Sequence, residues 1–193
     1  MSGIKRPIDF KSAFETLNRE LKGNDMTLEL ICVGGYILQL HDYKYTVDVD
    51  AFYNSSTELD QIIQKVGDAL GINRPDEPWL NNAVANMNQK PSEQFIENIF
   101  QFSNLIVNSA NLNYVVGMKL HSGRDQDIDD IKGILKSKDT DLFTFKSELE
   151  EMGFRPDIAV LLDAYERAHG LEWLAAFYEE NGEKLMQIIY EDN

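Results

Sequence analysis

The 193-residue sequence has a single cysteine, Cys32, so no disulfide can form within the chain. Its place in the apolar stretch 28–33 gives it the character of a small buried hydrophobe. Basic residues are scarce too: 18 Lys and Arg stand against 33 Asp and Glu, a formal charge of −15. That balance excludes broad nonspecific affinity for a polyanion, because phosphate binding draws on Lys and Arg to displace counterions. Two small basic sets remain, Lys5-Arg6 and the group Lys132, Lys136 and Lys138, and solvated surface charge accounts for both. No apolar run nears the roughly 20 residues of a membrane span, and residues 1–7 lack the apolar segment of a signal peptide, so a cytoplasmic location is the expectation. The histidines His41, His121 and His169 lack metal-ligand spacing, and only His121, beside Lys119, invites a test. Internal repeats, low-complexity tracts and any Ser/His/Asp arrangement are absent as well.

What is present is the composition of an ordinary globular chain, 43% hydrophobic and 26% charged. Phe10, Ala13, Phe14, Leu17 and Leu21 recur at helical spacing, with Asp9 placed to cap, and predict a helix over 9–22 broken by Gly23-Asn24-Asp25. Residues 26–33 read as a buried strand running into Gly34-Gly35, 36–41 as a short helix, and 45–53 as a second, alternating strand. Leu59, Ile62, Ile63, Val66 and Leu70 mark a helix over 58–70 that stops at Gly71. A Pro-interrupted, Asn-rich stretch over 73–101 holds Trp79 and a helix near 92–100, and Leu105, Ile106 and Val107 mark a third strand over 103–109. Helices suit 114–122 and 128–137, the second with Ile128, Ile131, Ile134 and Leu135 inward. Strand signals then cease: helices over 145–152, 157–169, 171–180 and 183–190, punctuated by Gly153, Gly170 and Gly182, predict a compact helical subdomain. The chain is thus α/β, in the α+β sense, with a domain over 1–140 and a helical subdomain over 141–193.

The most informative stretch is 28–52. On a strand, residues two apart share a face, so Asp48 and Asp50 in Thr46-Val47-Asp48-Val49-Asp50 present two carboxylates side by side, with Val47 and Val49 opposite. Like charges that close repel, and a divalent cation relieves them. Magnesium is a hard ion held by one or two carboxylates together with substrate phosphates. Gly34-Gly35 upstream lets backbone N–H groups approach those phosphates with no Cβ in the way. The plainer alternatives are a strand-to-helix turn for the glycines and the solvated face of an edge strand for the aspartates.

A second group of charged residues comprises Lys119, Arg124, Asp125, Asp127, Asp129 and Asp130. Its functional reading is a pair of cations that neutralise triphosphate charge beside a further carboxylate. The alternative is an acidic first turn of a helix, favoured by the macrodipole and capped by Asp125 or Asp127. Trp79, Trp173 and the tyrosines suit core packing or, as a second option, the stacking of a base.

In order, Val33-Gly34-Gly35-Tyr36 with Leu38, Thr46-Val47-Asp48-Val49-Asp50, Met118-Lys119-Leu120, and Arg124 with Asp127 and Asp130-Ile131 resemble the AbiEii-type nucleotidyltransferase-like proteins and their small bacterial relatives. That resemblance, over 28–135, implies the polymerase-beta-like nucleotidyltransferase fold, a short mixed sheet flanked by helices with a helical C-terminal portion. It implies transfer of a nucleoside monophosphate from an NTP to an RNA or protein hydroxyl with Mg2+ or Mn2+, in a toxin paired with an antitoxin protein. Residue by residue, it implies phosphate contacts at Gly34 and Gly35 and metal coordination by Asp48 and Asp50. It further implies nucleotide contacts from Lys119 and Arg124, and another acidic role for Asp127 or Asp130, with Asp129 as neighbour. The turn departs from the Gly-Ser of many nucleotidyltransferases in reading Gly-Gly-Tyr. The alternative expectation is a catalytically weak module of the same fold that binds nucleotide or a partner protein, for which a basic partner suits the −15 charge.

Overall fold

The computed structural model describes residues 8–75, 77–86, 89–138 and 141–191. The basic pair Lys5-Arg6 lies outside the described residues. The chain divides into two compact units, Met1–Val115 and Val116–Asn193, a division upstream of the boundary at 140 expected from the sequence.

In the first unit, helix α1 (Phe10–Gly23) starts where Asp9 accepts hydrogen bonds from the Ser12 N–H at 3.2 Å and the Ser12 hydroxyl at 2.7 Å. Those bonds hold the Asp9 carboxyl below its ordinary pKa. The helix buries Phe10, Ala13, Phe14, Leu17 and Leu21, the stripe its spacing predicted. A mixed five-stranded sheet in the order β3-β2-β1-β5-β4 forms the frame. Its central strand β1 (Leu28–Val33) runs antiparallel to β2 (Val49–Phe52) and parallel to β5 (Leu105–Ala110). Flanked on both edges, β1 buries Leu30, Ile31, Cys32 and Val33, and burial pushes the Cys32 thiol pKa up. Helix α2 (Gly35–Leu40) links β1 to β2 through a loop, and α3 (Thr57–Leu70) begins at a Ser56 cap and ends at Gly71, left-handed at φ 66. Trp79 is fully buried, stacked with Phe10 of α1 and donating Nε1–H to the Ile63 carbonyl of α3 at 3.1 Å, which settles it as core.

Several expectations change here. The second strand is short: residues 45–48 precede it, so Asp48 is not a strand residue. Val47 is 43% exposed while Val49 is fully buried, so the valines do not share a face. Leu70, the last apolar residue of the helical repeat over 58–70, is 42% exposed. The stretch 92–100 is not a helix but a short 3-10 turn, Glu93–Phe95, leading into β4 (Ile96–Gln101). β4 pairs antiparallel with β5 and carries a bulge between Asn98 and Phe100, which breaks the alternation of its apolar residues and imitates helical spacing. β3 (Leu80–Asn81) is a minimal edge strand parallel to β2.

The unit division falls inside α4 (Leu112–Ser122). The second unit is helical, with α5 (Asp125–Ser137), α6 (Leu142–Glu151), α7 (Ile158–His169) and α8 (Leu171–Glu191). Its core includes Ile131, Leu135, Phe145, Leu149, Leu161 and Ala164. A Cβ on Gly117 would meet the Phe154 ring at 2.4 Å, so glycine there lets α4 seat that ring. Residues 171–191 form one helix, not two; Gly182 lowers helix propensity by about 1 kcal/mol without ending the helix. No helix among the described residues is long and apolar enough to cross a membrane.

Candidate functional site

In the first unit the site is built by the register of β1 and β2. Val33 pairs with Asp50, so the turn that leaves β1 lies against the beginning of β2. Gly34 sits at φ 65, ψ −140, a backbone conformation that L side chains rarely adopt. A Cβ on Gly34 would lie 3.0 Å from Asp50 Oδ2, and one on Gly35 would lie 2.8 Å from Thr46 Oγ1. Both glycines are therefore close-approach positions, a stronger requirement than a simple strand-to-helix turn.

Asp48 reaches the same turn by a different route from strand alternation. Thr46 Oγ1 donates to Asp48 Oδ1 at 3.0 Å, and the Thr46 N–H donates to Gln39 Oε1 at 2.9 Å. Gln39, on α2, in turn donates Nε2–H to the Ile8 carbonyl at 3.1 Å. The other Asp48 oxygen, Oδ2, lies 3.3 Å from Arg74 Nη1, which also meets Glu77 Oε2 at 2.8 Å. The Arg74 side chain is half exposed, so this pairing is open to water. The structure thus brings Gly34, Gly35, Asp48 and Asp50 together and adds Thr46, Gln39 and Arg74, which sequence reasoning missed. Thr46 lay within the motif itself, but Arg74 is 26 positions from Asp48, and only the fold joins them.

Tyr36 supplies no hydroxyl to the turn. Its ring is buried edge-on against Phe10 and Phe14, at 5.3 and 5.8 Å between ring centroids, and burial pushes its phenol pKa up. The side-chain hydroxyl shown against the turn is that of Thr46, packed on Gly35.

In the second unit, Lys119, Arg124, Asp127 and Asp130 converge. Lys119 Nζ meets Asp127 Oδ1 at 2.6 Å and Asp130 Oδ2 at 2.8 Å. Asp127 Oδ2 accepts from Arg124 Nε at 2.6 Å and from the Ser122 hydroxyl at 2.6 Å. Burial works to raise the Asp127 carboxyl pKa, but hydrogen bonds from Lys119, Ser122 and Arg124, with the Lys119 charge, outweigh it and leave the group below its ordinary value. Arg124 occupies the cap position of α5 without a side-chain cap bond, so neither Asp125 nor Asp127 caps the helix. Asp125 instead pairs on the surface with Arg167 at 2.7 Å, and Asp129 lies 3.8 Å from Lys132. Lys132 and Lys136 are exposed as expected of solvated surface charge, whereas the Lys138 side chain is 16% exposed, pairs with Glu148 at 3.1 Å and lies over the Phe145 ring. His121 is exposed, outside the Lys119 ion cluster.

A mixed sheet flanked by helices, with a glycine turn pressed on Asp50 and on the Thr46 that bonds Asp48, is a nucleotidyltransferase-like arrangement. Residues 9–156 match the family described as "Nucleotidyltransferase of unknown function (DUF6036)", and the chain belongs to that family. No curated protein and no solved structure matches the chain.

Proposed function

We propose that the protein moves a nucleoside monophosphate from an NTP to a hydroxyl of an RNA or protein acceptor, releasing pyrophosphate, with Mg2+ or Mn2+ at Asp48 and Asp50. The observation that carries this reading is the close approach of Gly34 to the Asp50 carboxylate and of Gly35 to the Thr46 hydroxyl, in a chain of a nucleotidyltransferase family. The donor set fits the ion: its side-chain donors are all oxygens, the kind a hard divalent cation takes. Asp48 and Asp50 would hold such an ion together with oxygens of the substrate phosphates, the ligand set a hard divalent cation takes. When bound, such an ion polarises the phosphoryl oxygens and lowers the pKa of the attacking hydroxyl.

The chain's own residues do the rest. Backbone N–H groups at Gly34 and Gly35 bind phosphate oxygens, unobstructed by side chains. Thr46, fixed by Gln39, keeps one Asp48 oxygen in place and leaves the carboxylate oriented. Arg74 brings positive charge beside Asp48 that counters the charge of a triphosphate. Lys119 and Arg124 as nucleotide contacts, and Asp127 or Asp130 in the further acidic role, belong to the same proposal and rest on the order of the motifs alone, since Lys119 is engaged by both carboxylates. The finer placement as an AbiEii-type toxin with an antitoxin partner rests on the order of the motifs.

Purified protein given NTPs labelled at the α-phosphate, magnesium or manganese, and mixed RNA or protein acceptors passes label to an acceptor under this reading. Asp48→Ala and Asp50→Ala abolish that transfer; full activity in both sinks the site assignment. A second reading, nucleotide binding without turnover, is favoured by the pairing of Asp48 with Arg74 and by Tyr36 in the place where many nucleotidyltransferases have serine. It is the outcome if NTP binds and no acceptor is labelled.

A further inference from the structure

Eight large apolar side chains stay exposed among the described residues, and four of them fall in 40–47: Leu40 (42%), Tyr43 (38%), Tyr45 (68%) and Val47 (43%). Single exposed hydrophobes are ordinary, whereas a contiguous group on one short segment marks a binding surface. The segment closes α2 and leads to Asp48. It is also pinned at both ends. At its start the Tyr43 N–H bonds the Leu38 carbonyl at 2.9 Å and the Asp42 N–H bonds the Gln39 carbonyl at 3.2 Å, with Asp42 left-handed at φ 60. These are the two bonds of a Schellman motif. At its end the Thr46 N–H is held by the Gln39 side chain.

Between those anchors exposure alternates. Tyr43, Tyr45 and Val47 are exposed, while Lys44, Thr46 and Asp48 are half-buried. Thr46 and Asp48 are the pair bonded to each other, and Thr46 is the residue against Gly35. The tyrosines therefore stand on the outer rim of the segment whose inner side forms the candidate site. Rings on a pinned loop lose little freedom on binding, and the faces of such rings are where nucleobases stack.

We infer that Tyr45, with Tyr43 beside it, is the stacking surface for the base of the nucleotide held at Asp48 and Asp50. This rests on the nucleotidyl-transfer reading and goes beyond it by naming what receives the base. Continuity selects the occupant: a base is joined to its phosphates through one sugar, and Tyr45 adjoins Thr46 at the glycine turn. Stacking accepts the face of any base, so the site takes all four nucleotides with weak selectivity.

The test is calorimetric titration of the full chain, with Mn2+ present, by each of the four NTPs and by inorganic tripolyphosphate, which has no base. Tyr45→Ala weakens every NTP by roughly tenfold and leaves tripolyphosphate within about twofold, while Tyr45→Phe binds as the unaltered protein does. Circular dichroism verifies that the variants fold, as expected for so exposed a side chain. Two results overturn the inference alone: NTP affinity unchanged in the double variant Tyr43→Ala, Tyr45→Ala, or tripolyphosphate affinity falling in step with that of NTP. Unaltered protein that binds neither NTP nor tripolyphosphate overturns the inference together with the nucleotidyl-transfer reading.

Discussion

Asp48 in the first unit and Asp127 in the second are both carboxylates paired with a cation, yet the pairs are different in kind. Asp48 lies 3.3 Å from a guanidinium whose side chain is 50% exposed. Asp127 lies 2.6 Å from an ammonium, and the two side chains are 8% and 11% exposed. In the open pair water can replace either partner, so an incoming ligand exchanges one set of contacts for another at small cost. In the closed pair, removal of one partner strands a charge where water cannot reach it. Asp48 in the first unit therefore has a replaceable cation, and Asp127 in the second has an enclosed one in Lys119.

The sharpest way to break that contrast is Lys119→Met. It leaves Asp127 and Asp130 without their buried cation and lowers the stability of the second unit by about 3–5 kcal/mol. Urea unfolding followed by Trp173 fluorescence in a Trp79→Phe background measures it, because the sequence has two tryptophans and each unit holds one of them. A loss below about 1 kcal/mol would place this pair with ordinary surface bridges. Next in size is Asp50→Asn, which reduces label transfer on the order of a hundredfold while leaving the urea midpoint nearly unchanged. If stability falls and transfer persists, the carboxylate serves the fold instead of the ligand.

Thr46→Val keeps the side chain's shape near Gly35 but removes the hydroxyl that holds Asp48. Affinity for Mn2+, read by titration without nucleotide, falls by about tenfold. Equal affinity in the variant means that Asp48 is oriented without Thr46. The smallest effect belongs to Arg124→Ala. Its side chain is 77% exposed, so its loss costs under about 1 kcal/mol, but it contributes to the low pKa of Asp127. A depressed carboxyl stabilises the fold fully above the unfolded-state value, near pH 4, and that contribution disappears as pH falls through the lower folded-state value. In Arg124→Ala the folded-state value moves up towards the unfolded one, so acid titration of Trp173 fluorescence in the Trp79→Phe background shows a smaller pH-dependent loss, which starts at the same pH and is complete at a higher one.

Much of this was legible in the residues themselves. The stripes Phe10 to Leu21 and Leu59 to Val66 are local, period-matched and capped by Asp9 and Ser56, so α1 and α3 follow from short-range rules. β4 did not follow, because its bulge offsets Phe100 from Asn98 and disguises a strand as a helix. The second strand was overextended for a related reason: alternation continues through Tyr45 and Val47, but ladder pairing with β1 reaches only Asp50 to Phe52.

By itself the sequence determined the residue types at the glycine turn, the two aspartates, the excess of acid and the helical stripes, since each of these is a property of local chemistry and spacing. Only the tertiary structure decided that Asp48 is held by Thr46 and Gln39 instead of by a strand, that Arg74 is its cation, and that Lys119 is enclosed by two carboxylates. The physical reason is that a local pattern sets which groups a segment presents, whereas the partner of a charge and its access to water depend on segments that only folding brings into contact.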